Sequence, residues 1–451
     1  MSRRRTTGRL RPPLIRPVSA ARLRTLLRVA TRIIGWQTVT QLVGVAAGLL
    51  LLRWLTISSY AQYTFAIGFG SMISQLVDVG FADSVTGLVG DRAGDPRVVG
   101  SYLQAARSLR WLMCAALLPI SAIPFFLLGG GHGWALTTEL LLYATVVGTL
   151  TTRAMVDYYS IPLVIDGRLS SLYGTQLVVA LARLALTGLL KIATLLRGWS
   201  AAAISCVGLA CTGLIMRRRA SDLVEFPDTP VRAHRTEILR MVFPLLPGQL
   251  VFVLQGQLTI VVASTFDQNL ALAQVGAVAR FGQAFAVLTA LNSYALLPRL
   301  ARAASDRVRT IVLMSVGGMA FVLTLIVAAG FSFPHLLTLV LGNRYRGLGY
   351  VAGWALLSQA LACLDVTIYT INVARKYVWW WSTLVQAGLI LSTDLVILAG
   401  IGVHTVLEIQ YLAVAAGVAS FVGAAGSTFV GARAEARRAV VATKDSGSRL
   451  H

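Results

Sequence analysis

Several ionisable side chains fall inside long apolar runs of the sequence, where a charge is costly unless it is paired or hydrated. They include Asp78, Asp83, Arg183, Arg280, Asp365 and Asp394. The planar guanidinium of arginine binds phosphate or carboxylate oxygens in pairs, so Arg183 and Arg280 suit an anionic ligand. Asp365 and Asp394 could carry a coupling proton or sodium ion, or could bond neighbouring helices to each other.

Arg280 carries the most specific of these hypotheses. An arginine held in an apolar segment must meet an anion, either Asp78 across a cleft or an anionic group on a bound ligand. Gly276, four residues earlier, leaves room for such a ligand, and Gln283 follows on the same helical face. A permanent structural ion pair is the alternative explanation for Arg280.

Polar residues on the second apolar run share one helical face. Ser71, Gln75 and Asp78 recur at i, i+4 and i+7, so they could line a cleft. Asp78 either faces the cleft with a functional role or forms structural hydrogen bonds. Asp83 lies off that face and is predicted to anchor a bend near Gly80. The other amides predicted to line the cleft are Gln37, Gln41 and Gln249.

Patterns typical of an enzyme or a metal site are missing from the sequence. The four cysteines all lie within apolar runs, and the five histidines show no metal-ligand spacing. The connections on one side of the membrane are about ten residues or fewer, too short for an active site outside the bilayer. We therefore expect no catalytic residue, cofactor or metal, and an integral membrane enzyme is the weaker alternative.

The elements that must position these residues are membrane-spanning helices. Apolar residues make up 56% of the 451 and charged residues 13%, and the mean hydropathy is +0.72. Twelve apolar runs reach about 20 residues, the length that crosses a hydrocarbon core. They are 33–54, 63–89, 108–128, 136–161, 172–195, 200–216, 238–264, 272–297, 311–331, 348–373, 378–401 and 407–430. The sequence predicts an all-α polytopic membrane protein.

The positive charges predict how the chain is oriented. With the N-terminus assigned to the cytoplasm, 33 Lys and Arg fall in cytoplasmic segments and five in outer ones. This asymmetry follows the positive-inside rule and predicts that both termini are cytoplasmic. A net charge of +22 could also indicate nucleic-acid binding, but these charges are spread over many short loops rather than one face. We therefore expect no nucleic-acid partner.

An internal repeat divides the spans into two sets of six. Gln37, Gly44, Ala61 and Phe69 are among eight residues, within 34 ungapped positions, that are identical to the residues 212 positions later. Six spans separate the copies, so both have the same orientation and a pseudo-two-fold axis runs along the membrane normal. The predicted domains are a basic tail (1–32), two six-helix lobes (33–216 and 238–430) joined by a linker (217–237), and a second tail (431–451).

One loop resembles a motif of the major facilitator superfamily. The stretch Gly87-Leu-Val-Gly-Asp-Arg-Ala-Gly94 is similar to the Gly-x-x-x-Asp-Arg-x-Gly loop of that superfamily. The basic pair that normally follows is Asp95-Pro96 here, and the second half of the chain has no counterpart. A facilitator transporter remains an alternative.

A resemblance that covers more of the chain is to the polysaccharide and O-antigen flippases. These belong to the multidrug/oligosaccharidyl-lipid/polysaccharide exporter superfamily. The similar stretches are Tyr60-Ala-Gln-Tyr63, Leu76-Val-Asp-Val-Gly-Phe81, Ile161-Pro162 with Asp166-Gly-Arg168, Phe243-Pro244 with Gln249, and Pro298-Arg299. The resemblance implies a transporter that flips polyprenyl-diphosphate-linked oligosaccharide across the bacterial inner membrane by alternating access. A polysaccharide polymerase and chain-length machinery are the partner candidates that it implies.

Cation-coupled multidrug exporters of the same superfamily are the nearest alternative. The resemblance implies that such exporters commonly keep an acidic residue in the first span, and the run 33–54 contains none. The intramembrane arginines Arg183 and Arg280 suit an anionic cargo better than a lipophilic cation. The sequence therefore favours the lipid-linked oligosaccharide as cargo.

Overall fold

The computed structural model consists almost entirely of helices. It describes residues 20–89, 92, 94–227, 232–243, 246–265, 269–291, 296, 300, 305–375, 377, 379–400 and 402–447. In this part of the chain there are α-helices and short 3₁₀ segments but no strand, so the predicted all-α class is confirmed. The helices are α1 (Ala20–Trp54), α2 (Ile57–Asp78), α3 (Phe81–Val89), α4 (Pro96–Gly130), α5 (Leu136–Ile165), α6 (Leu169–Ile192), α7 (Gly198–Arg219), α8 (Arg232–Val242), α9 (Leu246–Ser264), α10 (Asn269–Leu291), α11 (Ser305–Ser332), α12 (Pro334–Leu341), α13 (Gly349–Arg375), α14 (Trp380–Gly400) and α15 (Val406–Gly447).

Eight of the described helices are long and apolar enough to cross a membrane by length and composition. They are α1, α4, α6, α7, α11, α13, α14 and α15. Helices α2, α5, α9 and α10 occupy the positions of the four remaining predicted spans. These four helices have 22, 30, 19 and 23 residues, respectively.

The second predicted span is not continuous. Val79 and Gly80 adopt positive φ angles of 36° and 88°, which end α2 and start α3 on a new axis. Glycine reaches such angles without a steric penalty, which is why Gly80 can occupy the break. The bend predicted near Gly80 is therefore present. The side chain of Asp83 lies outside the described part, and its anchoring role stays a prediction.

Each half of the chain forms a lobe. Helices α1–α7 pack together through α2 with α5, α5 with α7 and α1 with α6, and helices α9–α15 pack through α10 with α13 and α13 with α15. The repeat is visible in the elements, because α2 begins at Ile57 and α10 at Asn269, 212 residues later. The described residues begin at Ala20, so most of the predicted basic tail lies outside them.

The two lobes meet at the end of the bundle away from the termini. The Tyr60 hydroxyl donates to the backbone oxygen of Gly276 at 3.2 Å. A Cβ added at Gly276 would lie 2.2 Å from Thr64 Oγ1, and one added at Gly68 would lie 2.4 Å from Ile260 Cδ1. Because α2 touches α9 and α10 this closely, the lobes are sealed at this end.

Toward the termini the lobes diverge. Gly44 and Gly256, which the repeat relates, both face open space, since a Cβ added at either would meet no atom within 4 Å. Leu42 and Leu254, two residues before these glycines, are 61% and 48% exposed. We interpret the space beside these residues as the open end of a cleft framed by α1, α2, α9 and α10, whose other end is closed by the contacts of α2 with α9 and α10.

Helix α8 belongs to the segment that connects the two lobes, and it packs against the first lobe. The Tyr102 ring of α4 stacks on His234 with the ring centroids 4.1 Å apart, and its hydroxyl donates to the Glu237 carboxylate. Ile238 and Val242 are buried in the same apolar cluster. The second lobe then begins at α9, only a few residues later.

Exposed ion pairs hold the segment between α7 and α8. Arg168 lies 2.7 Å from Asp166 and 2.9 Å from Asp222, and Arg97 lies 2.7 Å from Glu225. The hydrogen bond from Arg168 lowers the pKa of the Asp222 carboxyl below its ordinary value. Such exposed pairs are screened by salt and contribute little to stability.

Candidate functional site

Arg280 lies at the closed end of the cleft and joins the two lobes. Its Nε donates to the Tyr60 hydroxyl at 3.0 Å, and its guanidinium carbon lies 5.4 Å from the centroid of the Tyr63 ring. The side chain passes so close to Gly48 of α1 that a Cβ there would lie 2.9 Å from Arg280 Cδ. The contact therefore involves α1, α2 and α10 together.

Arg183 lies within the first lobe. Its Nη2 donates to Ser205 Oγ at 2.8 Å, and the close approach of its Cδ to Gly208 holds it between α6 and α7. Among the described residues neither Arg183 nor Arg280 forms an ion pair with a carboxylate, so both positive charges are left with polar and aromatic neighbours.

Asp78, one of the two anions considered as a partner of Arg280, pairs with Arg110 instead. Its Oδ1 accepts from Arg110 Nη1 at 3.1 Å, and the same nitrogen donates to Asp157 Oδ2 at 3.2 Å. Asp157 also accepts from Arg153 at 3.0 Å, an i, i+4 pair along α5. Two arginines and two aspartates thus form one network of balanced charge inside the first lobe.

Arg110 is the residue of this network that sequence reasoning missed. It is 1% exposed, Ser74 accepts from its Nη2 at 3.3 Å, and its guanidinium lies 5.7 Å from the centroid of the Tyr158 ring. The positive-inside count had assigned Arg110 to a cytoplasmic segment. One feature of the sequence could have identified Arg110 as a buried residue. It follows Arg107 by three residues, within a predicted helix that continues into an apolar run.

The predicted amides reach different surroundings. The side-chain oxygens of Gln37 and Gln283 are buried and have no hydrogen-bond partner among the described residues, so each could bond to a ligand. Gln41 is half-buried, and the exposed Gln75 donates to the Ser71 backbone oxygen at 3.3 Å. The side chain of Gln249 lies outside the described part.

The expectation that Gly276 leaves room for a ligand is wrong. As described above, that space is filled by Thr64 of the other lobe. The glycine is needed because any side chain there would push α2 away from α10 and open the closed end.

A cavity of about 270 Å³ lies inside the second lobe between α9, α10, α13 and α15. Its polar lining is rich in amides and hydroxyls, and Asp365 is its acidic residue. The polar lining residues are Gln255, Thr259, Ser358, Gln359, Asp365, Gln410 and Ser420. In the described part of the chain, no group of three or more His, Cys, Asp or Glu residues could hold a metal ion. The lining could instead bind a proton or an alkali cation through the carboxylate and side-chain oxygens.

A chain of hydrogen bonds orients the Asp365 carboxylate. Its Oδ2 accepts from the Ser420 hydroxyl at 2.9 Å, and Ser420 Oγ in turn accepts from Gln386 Nε2 at 3.0 Å. Its Oδ1 is buried and has no partner among the described residues. The free oxygen is therefore available to a proton or cation that enters the cavity.

Asp394 does not share this cavity. It is buried on α14, and its Oδ1 has no hydrogen-bond partner among the described residues. Of the two predicted ion-coupling candidates, Asp365 lines this cavity and Asp394 does not. Asn372, on the same helix as Asp365, donates to the Ala424 backbone oxygen at 3.0 Å, so it bonds α13 to α15.

Two arginines at the closed end of the cleft donate hydrogen bonds to backbone oxygens at helix ends of the opposite lobe. Arg53 of α1 donates to the backbone oxygens of Leu339 and Val340 at 3.1 and 3.2 Å, and these are among the last carbonyls of α12. Arg344 of the second lobe donates to the Leu55 backbone oxygen at 2.7 Å, just after α1. Because the C-terminus of a helix carries partial negative charge, each arginine stabilises the helix end of the opposite lobe.

Comparisons with known proteins identify the fold. A scan against protein-family models and a search of curated proteins find no match. Among solved structures, the Vibrio cholerae MATE transporter VcmN matches with a TM-score of 0.59 and 13% identity, over 92% of this chain and 98% of that one. The eukaryotic MATE transporter AtDTX14 matches with a TM-score of 0.58 and 12% identity, over 92% and 98%. An inward-facing multidrug resistance MATE family transporter of the MOP superfamily matches with a TM-score of 0.54 and 16% identity, again over 92% and 98%.

These likenesses show the fold at identities too low to show more. The chain has the MATE-type fold, an all-α membrane architecture of about twelve spans in two lobes, as the hydropathy and the repeat predicted. It is a multi-pass protein of a lipid bilayer. The major facilitator alternative gains no support, and Asp91 of the loop motif behind it lies outside the described residues.

Proposed function

We propose that the protein is a secondary transporter that exports its cargo by alternating access, and that it has no enzymatic activity of its own. The observation that carries this proposal is the cleft between the lobes, which is closed at one end and open at the other. The solved structures with this fold include proteins described as inward-facing and as outward-facing. With the termini in the cytoplasm of a bacterial inner membrane, the present conformation is the inward-facing one.

Cation-coupled export of small organic molecules is the function best supported by the likeness to other proteins. Two of the solved structures are described as multidrug resistance transporters. The cavity of the second lobe supplies what coupling requires, a buried carboxylate with one free oxygen beside a volume that can hold a proton or cation. Asp365 is the coupling residue in this proposal.

Flipping of a lipid-linked oligosaccharide is the second candidate, and one observation favours it. Arg183 and Arg280 bond to hydroxyl groups and have no carboxylate partner among the described residues, a setting that attracts a diphosphate rather than an organic cation. The first span also contains no acid. The comparisons with known proteins give no support to this cargo or to polymerase partners.

Transport by the purified protein in liposomes tests the two candidates against each other. Vesicles would be loaded either with a fluorescent organic cation or with labelled polyprenyl-diphosphate oligosaccharide in one leaflet, under a proton or sodium gradient. Gradient-driven movement of the organic cation supports the drug-export candidate, and movement of the glycan head group supports the flippase candidate. Movement of neither cargo, with protein that remains folded, contradicts both.

Replacing Asp365 with asparagine is expected to reduce the rate of gradient-driven transport at least tenfold. The amide keeps the size of the side chain and can still bond to Ser420, but it cannot bind a proton or balance a cation. The matched control is Asp222→Asn, which removes an exposed carboxylate on the linker. Gradient-driven transport by Asp365→Asn at the wild-type rate would show that this carboxylate does not couple transport.

Single cysteines at Gly131 and Ser221 are expected to report opposite sides of the membrane. Both positions are exposed, and they lie at opposite ends of the bundle. The charge asymmetry places Gly131 outside and Ser221 in the cytoplasm. An impermeant maleimide added to intact spheroplasts should label Gly131→Cys and not Ser221→Cys, on a chain whose four native cysteines are replaced. The reverse pattern would invert the orientation and make the structure outward-open.

A further inference from the structure

Helix α8 has one face that its docking on the first lobe does not use. Ile238 and Val242 point into the apolar cluster of the first lobe and are 0% and 4% exposed. The positions on the opposite side of the helix are exposed, and they include two basic and two large apolar residues. This face, here termed the α8 outer face, consists of Arg232, Thr236, Leu239, Arg240 and Phe243.

The arginines of the α8 outer face are not neutralised by the protein. Neither Arg232 nor Arg240 has a carboxylate partner among the described residues. Elsewhere at this end of the bundle Arg97 and Arg168 are paired with carboxylates at 2.7–2.9 Å. Arg217 and Arg218 at the end of α7 are likewise exposed without a carboxylate partner among the described residues, so what distinguishes the α8 outer face is that its unpaired arginines lie beside exposed apolar side chains.

The apolar residues of the same face lie close to the start of a helix that runs into the bundle. Phe243 is 71% exposed and Leu239 43% exposed. Phe243 follows α8 directly, and α9 begins at Leu246 and runs into the bundle. A large apolar side chain this close to the start of a membrane helix meets lipid rather than bulk water. A helix that combines basic and apolar residues in this way is typical of the membrane interface.

We propose that the α8 outer face is a binding site for anionic phospholipid head groups. Arg232 and Arg240 bind the phosphates, while Leu239 and Phe243 enter the boundary with the acyl chains. Because α8 is fixed to the first lobe and leads directly into α9 of the second, a lipid bound here contacts the connection between the lobes. The proposal does not depend on which cargo is transported.

Native mass spectrometry of the purified full chain, titrated with phosphatidylglycerol or phosphatidylcholine of matched acyl chains, tests this site. The wild type is expected to retain phosphatidylglycerol preferentially. The double variant Arg232→Gln/Arg240→Gln is expected to lose roughly 30-fold in phosphatidylglycerol affinity, because each basic side chain near an anionic surface contributes about fivefold. The matched control is Arg217→Gln/Arg218→Gln, which removes two exposed arginines at the end of α7 and should reduce the affinity much less.

Several results would overturn the proposal. They are equal retention of the two lipids by the wild type, unchanged phosphatidylglycerol affinity in the double variant, or an equal loss in the control. A dimer held through α8, or an acidic protein that binds Arg232 and Arg240 in place of lipid, would assign the face to a protein partner.

A second measurement keeps the test independent of variant folding. Phe243→Trp in liposomes should show fluorescence quenching by brominated phosphatidylglycerol that exceeds quenching by brominated phosphatidylcholine, and equal quenching counts against the site.

Discussion

Replacing Arg110 with leucine is expected to lower the free energy of unfolding by about 3–5 kcal/mol, since it leaves buried charges without their partner. Arg110 bonds to both Asp78 and Asp157 in the interior of the first lobe. The loss should appear as reduced abundance in the membrane and a lower melting temperature of the detergent-purified protein. Asp78→Asn added to the variant should recover part of the loss, because it removes one of the unbalanced charges.

The control for this experiment lies one turn earlier on the same helix. Arg107 is exposed, so Arg107→Leu removes the same charge from α4 without breaking the network. Its unfolding free energy should stay within about 0.5 kcal/mol of the wild type. If Arg110→Leu is as stable as Arg107→Leu, the ion-pair network does not exist in the folded protein.

Replacing Arg280 with alanine is expected to open the closed end of the cleft. Its bonds to Tyr60 and Tyr63 join the lobes in this conformation, so their loss shifts the equilibrium toward the conformation in which the lobes are apart. A charged hydrogen bond and a desolvated cation–π contact together contribute about 2–4 kcal/mol. That corresponds to roughly a 30- to 1000-fold change in the ratio of the two states.

Spin labels at Gly131 and Leu336, one on each lobe at the closed end, would measure this change. Both positions are exposed. Arg280→Ala should add a population at longer label-to-label distance, and Tyr60→Phe should do so to a smaller extent because it keeps the ring. The control is Arg197→Ala, an exposed arginine at the start of α7. An unchanged distance distribution in Arg280→Ala would mean that Arg280 does not hold the lobes together.

The same variant bears on the cargo. If a diphosphate binds at the apex of the cleft, Arg280→Ala should also abolish glycan flipping in liposomes, and Arg280→Lys should restore it only partly because lysine lacks the planar fork. If the cargo is an organic cation, Arg280→Ala should still transport it. The rate should fall only as far as the variant populates one of the two conformations less than the wild type does. Measuring distances and transport on one preparation therefore separates a role in closure from a role in binding.

The elements of this fold follow from the sequence because they depend on local chemistry. Runs of about 20 apolar residues must satisfy their backbone groups internally when they lie in lipid, and only helices do so within one segment. The 212-residue repeat likewise predicted the matched positions of α2 and α10 and the division into two lobes. The break at Val79–Gly80 lies next to a glycine visible in the sequence, although hydropathy alone made that span continuous.

The partners of the polar residues were decided by tertiary structure. The sequence identified Asp78, Arg183, Arg280 and Asp365 as unusual, because burying a charge in an apolar run is costly wherever the chain folds. It could not determine that Asp78 pairs with Arg110, because the two are 32 residues apart on helices whose relative rotation is set by packing. Nor could it place tyrosines rather than a carboxylate around Arg280, since an aromatic face is also a satisfactory neighbour for a cation.

The state of the cleft also depends on tertiary contacts. Closure at one end arises where Gly68 and Gly276 let the helices of opposite lobes approach, and where Arg53 and Arg344 reach the helix ends across the interface. Each of these contacts joins residues more than 150 positions apart, so no local periodicity encodes them. Hydropathy, which measures transfer from water to lipid residue by residue, determines that the chain crosses the membrane; the packing of one lobe on the other determines which end is open.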